Sequence, residues 1–101
     1  MFCHVVYFWM KDGFRDDERK KFEERLQALL TVETVQQGFT GVPASTRRDV
    51  VDSSYSYAAV LIFKDKDGHD RYQVHPTHRR FVDECASFWT RVRVYDTVPM
   101  A

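Results

Sequence analysis

Four histidines, together with Tyr57 and Tyr72, are the residues of this chain best suited to move a proton near neutral pH. His78 leads them. Its spacing places it third in a helix beginning at Pro76, on one face with Val82, Cys85 and Trp89 at i+4, i+7 and i+11. A histidine on an inward face near the positive end of a helix dipole is expected to be neutral, and a neutral ring accepts a proton. The competing reading is a core histidine whose ring nitrogen bonds a backbone carbonyl; the sequence alone leaves both open. Tyr72 ends the preceding short segment, where its phenol can either donate to a developing oxyanion or simply pack. His75 precedes Pro76 and falls at or beside the helix N-cap. The spacing His75-x-x-His78 lacks a third converging ligand, so no metal is expected. His4 shares a strand face with Val6 and Phe8, and Tyr57 shares one with Ala59 and Leu61; if those strands are neighbours, His4 and Tyr57 either line one cavity or pack in the core. His69 lies in a polar turn and is expected to be exposed. The candidate site is therefore catalytic His78 and Tyr72, with His4, Tyr57 and His75 as ligand-binding residues.

Other chemistries are absent from the sequence. It has no Gly-rich phosphate loop, no G-x-S-x-G and no HExxH. Cys3 and Cys85 sit in apolar settings, where thiols are inert.

The elements that must position these residues follow from periodicity. Residues 2–10 alternate with apolar side chains on both faces, predicting a strand buried on both sides and ended by the turn Lys11-Asp12-Gly13. Phe22, Leu26, Leu29 and Leu30 form one stripe of a helix capped by Asp16 or Asp17. Residues 35–42 form a weaker strand with a bulge or bend at Gly38 or Gly41, followed by a polar loop to Ser53. Residues 54–63 form a second strong strand, with Tyr55, Tyr57, Ala59, Leu61 and Phe63 on one face. Asp67 or Gly68 starts a short helix through Tyr72, and a longer helix runs from Pro76 to about Trp89, with Phe81, Val82, Cys85, Phe88 and Trp89 on its apolar face. Val92, Val94 and Val98 mark a last strand, stopped by Pro99. The order β-α-β-β-α-β predicts an α+β, ferredoxin-like domain: a four-stranded antiparallel sheet with helices on one face.

That arrangement leaves the other sheet face bare. The chain carries eight Phe, five Tyr and two Trp in 101 residues, more apolar surface than a lone small domain hides easily. Homodimerisation, sheet face on sheet face, into an α/β barrel is the expected solution. Fifteen Lys and Arg balance fifteen Asp and Glu, so there is no basic excess for nucleic acid. The apolar run Phe2–Met10 is about half a bilayer span and has neither basic leader nor small-residue cleavage site, so neither membrane insertion nor secretion is expected. Two isolated cysteines point to a reducing, cytoplasmic setting.

Several segments resemble one family along essentially the whole chain. His4-Val5-Val6, Tyr57-Ala58 through Phe63, Tyr72-Gln73-Val74-His75-Pro76-Thr77-His78, Ser87-Phe88-Trp89 and Val94-Tyr95-Asp96 are similar to the stress-responsive A/B barrel (Dabb) domains. Arg48-Asp49-Val50-Val51-Asp52-Ser53-Ser54-Tyr55 resembles its bacterial branch. The resemblance implies a ferredoxin-like protomer and a dimeric barrel. The family includes plant olivetolic acid cyclase, a polyketide cyclase needing no organic cofactor. It implies a general-base role for His78, a positioning role for Tyr72, and a place near the pocket for His4. The chain departs at Tyr57, where that cyclase has a histidine, so the pocket wall differs. Two functions are expected from this: a dimeric small-molecule-binding barrel capable of cofactor-free proton transfer, or a non-catalytic stress or assembly protein with structural histidines.

Overall fold

A computed structural model describes residues 1–101. The first strand, β1 (Phe2–Met10), alternates as its sequence requires and pairs on both sides, antiparallel to β3 (Tyr57–Phe63) and to β4 (Trp89–Thr97). The edge strand β2 (Val35–Gly41) pairs with β3, giving the order β2-β3-β1-β4. Three helices, α1 (Asp16–Ala28), α2 (Lys66–Gln73) and α3 (Pro76–Cys85), lie against this sheet. The result is the expected ferredoxin-like sheet, in a slab 17 Å thick along its shortest axis.

Local chemistry sets the element ends. Gly13 turns the chain after β1 with φ +70°, a conformation glycine adopts without cost. Helix α1 is capped by Arg15, not by Asp16 or Asp17: the Glu18 carboxylate reaches back to accept from the Arg15 N–H at 3.1 Å. Both aspartates instead occupy the first turn, where the helix dipole favours them. Helix α2 starts one residue earlier than expected, because the Asp65 carboxylate accepts from the Gly68 N–H at 2.9 Å. Gly38 is required by close approach, since a Cβ there would stand 2.5 Å from the Val60 carbonyl oxygen. The bulge in β2 falls between Val35 and Gln37 rather than at a glycine.

Two boundaries differ more. Helix α3 ends at Cys85 and is followed by a tight turn over Ala86–Phe88, so Trp89 opens β4 opposite Met10 instead of closing the helix. The apolar run fits a helical stripe, but pairing with β1 prevails; the Lys11 N–H donates to the Phe88 carbonyl at 2.8 Å. Strand β3 begins at Tyr57, not residue 54. Ser54 accepts from the Trp9 indole N–H at 3.0 Å, and Tyr55 packs on Tyr7 with ring centres 4.7 Å apart, on the sheet face opposite Tyr57.

The sheet thus has two unlike faces. The helix-covered face buries Phe2, His4, Val6 and Phe8 of β1 with Tyr57, Ala59, Leu61 and Phe63 of β3. Phe22 and Leu26 of α1 and Phe81 and Cys85 of α3 close over it. On the open face the register aligns Phe39, Val60, Val5 and Tyr95 in one row across all four strands, with Tyr7 and Trp9 beside it. Cys3 and Cys85 are free thiols. No helix is long and apolar enough to cross a membrane.

Candidate functional site

Beyond β1 the helix layer stops short. Only the start of β4 meets a helix, where Trp89 stacks on Phe81 at 5.5 Å; Val92 and Val94, on the helix-side face, keep 38% and 42% of their surface exposed. A cavity of about 130 Å³ opens there between α3 and the sheet. Its wall is mainly apolar (Val6, Phe8, Ala59, Phe81, Trp89 and others), and its polar groups include His4, Tyr72 and His78.

Each of the three is held by its element. Pro76 begins α3, and the His75 ring nitrogen Nδ1 caps it by accepting from the Thr77 N–H at 3.0 Å, which turns His78 inward. Tyr72 ends α2 with 1% of its surface exposed, and its ring meets the His78 ring edge to face with centres 4.9 Å apart. His4 is 4% exposed on β1, with its ring 5.9 Å from that of Tyr72. No hydrogen bond within the chain holds the Tyr72 hydroxyl or the His78 ring.

Burial favours the neutral form of His4 and His78. Burial lowers the His78 pKa below its usual value, and the nearby His4 and His69 lower it further. Burial likewise lowers that of His4, outweighing the opposite pull of Asp96. His4 Nδ1 lies 2.5 Å from the Asp96 carboxylate. A carboxylate only accepts, so Nδ1 carries the proton and Nε2 is left with a free lone pair. Burial pushes the Tyr72 phenol well above its usual range, so it remains a hydrogen-bond donor at neutral pH.

The other two candidates lie elsewhere. Tyr57 stands opposite Phe8, whereas His4 stands opposite Leu61, four residues further along β3. The Tyr57 hydroxyl donates to Glu23 at 2.5 Å and accepts from Arg19 at 3.2 Å, both on α1, and it borders a separate recess with Leu26 and Thr40. His75 faces outward, with Nε2 3.3 Å from the Glu33 carboxylate. Its work is capping, which positions His78 without touching the cavity.

Two residues of the region escape sequence reading. Asp96 is directly opposite His4 across the β1–β4 ladder. The alternation Val92, Val94, Asp96 held the clue: one acid on an otherwise apolar face. His69 is not exposed as expected. Its side chain keeps 12% of its surface, stacks on Phe2 at 4.5 Å and lies 4.8 Å from the His4 ring. No signal in the sequence marks it, because its burial arises from how α2 docks on the end of β1.

A second concavity is different in kind. A groove of about 400 Å³ lies on the open face, lined by Tyr7, Trp9, Asp52, Tyr55, Arg91, Arg93 and Tyr95. It carries no histidine and lies on the face left without a covering layer. The smaller cavity is the one lined by histidines, His4 and His78.

Known proteins share the fold. Among curated proteins none matches the chain. The fold is similar to the crystal structure of an Arabidopsis thaliana protein, with a TM-score of 0.81 at 20% identity over 100% of this chain and 97% of that one. A Dabb family protein with a ferredoxin-like fold from Mesorhizobium loti superposes with a TM-score of 0.78 at 24% identity, covering 99% and 97% of the two chains. A dimeric ferredoxin-like protein of unknown function from Thermobifida fusca superposes with a TM-score of 0.78 at 19% identity, covering 97% and 90%. The model of the Stress responsive A/B Barrel Domain (Dabb) matches residues 2–99, and the chain belongs to that family.

Proposed function

We propose that two copies of this chain pair through their open sheet faces, and that each copy binds a small carbonyl compound in the cavity between α3 and β4. His78 takes a proton from the carbon next to the carbonyl. The C–H electron pair moves toward the carbonyl oxygen, and the Tyr72 hydroxyl donates a hydrogen bond to the oxyanion that forms. The proton then returns from His78 to the product. The step balances without an organic cofactor. Attack of the resulting carbanion on a second carbonyl of the same molecule would close a ring, which makes cyclisation of a polyketide-like chain a reaction of this type.

One observation carries the reading: His78 and Tyr72 meet at 4.9 Å in an apolar cavity, with no hydrogen bond inside the chain holding the His78 ring or the Tyr72 hydroxyl. The cavity volume suits one aromatic ring, being close to the roughly 150 Å³ of engineered cavities that bind benzene. Pairing through the open face is supported by the row Phe39, Val60, Val5 and Tyr95, which leaves Phe39 60% and Tyr95 58% exposed in a single chain. Free thiols suit a reducing compartment such as the cytoplasm.

Proton exchange tests the chemistry. Acetophenone, a single-ring ketone, is incubated in D2O and loss of its methyl proton signal is followed by NMR. The wild-type chain is expected to accelerate exchange, and His78→Ala and Tyr72→Phe to return it toward the buffer rate while the far-UV spectrum stays unchanged. Exchange at the buffer rate with wild-type protein would remove the catalytic reading and leave the non-catalytic assembly role. Sedimentation equilibrium tests pairing: a mass twice the 12.0 kDa of one chain is expected, and a monomer at micromolar concentration contradicts it.

A further inference from the structure

At the far end of β1, three groups from three different elements converge. A ring nitrogen of His4, a ring nitrogen of His69 and a carboxylate oxygen of Asp96 all lie within 4.8 Å of one another. We infer that these residues form a binding site for a divalent first-row transition ion of the zinc type, placed beside the cavity that His4 lines.

The arrangement is built by the fold. His4 and Asp96 face each other because β1 and β4 pair in that register. His69 is brought over them by α2 and is held there by its stack on Phe2 at 4.5 Å. The ligand types select the ion. Two imidazoles and one carboxylate suit zinc, iron(II), cobalt or nickel, whereas magnesium and calcium prefer oxygen donors. Bonds of about 2.0–2.1 Å in a tetrahedral site put ligand atoms about 3.3 Å apart. The observed set needs its longest edge to contract and its shortest, the His4–Asp96 hydrogen bond, to open. Asp96 has the freedom to do so, with 40% of its side chain exposed, and the same exposure gives an ion its entry path. Three protein ligands leave at least one position for water or for an oxygen of a bound molecule, as in zinc sites that act on substrates. The spacing His75-x-x-His78 plays no part: His75 faces Glu33, and His78 is outside the cluster.

The inference is independent of proton transfer by His78, because binding is read without any substrate. Tag-free protein is dialysed against Zn2+ and, separately, Co2+. One ion per chain is expected, with a visible cobalt spectrum showing nitrogen ligands. His69→Gln and Asp96→Asn should each weaken binding by more than the roughly 10–100-fold that losing an outer-shell partner costs. His75→Gln should leave it unchanged. Both test variants lie at partly exposed positions, and thermal melting confirms that they are folded. Equal zinc affinity in wild type and His69→Gln, loss of binding only in His75→Gln, or no stoichiometric binding by the wild type would each overturn the site. Mg2+ bound in place of zinc would overturn its ligand class.

Discussion

The two faces of one strand differ in what covers them, and the proposed function gives each a separate job. On β1, Phe2, His4, Val6 and Phe8 point under the helices and are buried, while Cys3, Val5, Tyr7 and Trp9 point away and are only half-covered. Both sets are apolar and aromatic, so composition does not distinguish them. What differs is the company each keeps. The helix-side face meets α2 and α3, whose ends deliver Tyr72 and His78 to a cavity beside His4. The open face meets nothing in the single chain except the Ser54-Tyr55 segment at one end. On the proposed function, a period of two residues sends chemistry to one side and association to the other.

Breaking each face should therefore fail differently. The largest effect is expected from Phe22→Ala. Phe22 is fully buried on the helix side, against the rings of Phe8, Tyr57 and Phe81 at 5.4, 4.9 and 5.7 Å. Its loss should destabilise the protomer by about 3–5 kcal/mol in urea unfolding. A smaller but different failure should follow from the double change Phe39→Asp and Tyr95→Asp on the open face. Both residues are more than half exposed in one chain, so the protomer should stay folded. The dimer should weaken by at least about 100-fold, or about 2.7 kcal/mol, in sedimentation. Unfolding of the double variant, or a dimer of unchanged strength, would erase the distinction between the faces.

The pH dependence sharpens the comparison further. His4 is buried and His78 half-buried, both with pKa values below the usual 6.5, and no such histidine lies on the open face. As pH falls through about 6.5, the unfolded chain binds protons before the folded one does. Stability should thus be full above that pH and decline as it falls toward the folded-state values. Paired carboxylates with lowered values, such as Glu84 at about 2, add their loss only at more acid pH. His78→Gln should flatten the slope of urea stability between pH 7.5 and 5.5; an unchanged slope would mean that His78 is not held neutral. The smallest effect is expected from Glu84→Gln, which removes the ion pairs of Glu84 with Arg80 on its own helix and with Arg25 and Lys21 of α1. It should lower the melting temperature slightly, less so at high salt, and leave ligand binding intact.

Much of this was legible in the residues. Alternation in β1, the proline at the start of α3 and the apolar stripe of α1 are signals carried within a few residues, and each element begins where they point, although α1 ends at Ala28 and leaves Leu29 and Leu30 of its stripe in a tight turn. The pairing of His78 with Tyr72 was legible for the same reason, since six residues and one turn separate them. Register was not. Tyr57 has the expected face, but it pairs with Phe8 and so lies a full four residues along the sheet from His4. Trp89 satisfied a helical stripe and a strand equally well, and only the ladder with β1 decided between them. His69 looked solvated because its neighbours Asp67, Gly68 and Asp70 are turn residues; its burial depends on contacts with Phe2 and His4, more than sixty residues away in sequence.

The division of labour between the faces is tested most directly by mapping where a ligand binds. Acetophenone is titrated into isotope-labelled protein and the backbone amide shifts are followed by NMR. Shifts are predicted at Ala59, Tyr72, His78, Val92 and Val94 around the helix-side cavity, with Tyr7, Trp9, Tyr55 and Arg93 unmoved. Shifts confined to the Tyr7, Trp9, Tyr55 and Arg93 groove would contradict the account, because the open face would then hold the ligand and the histidines would not.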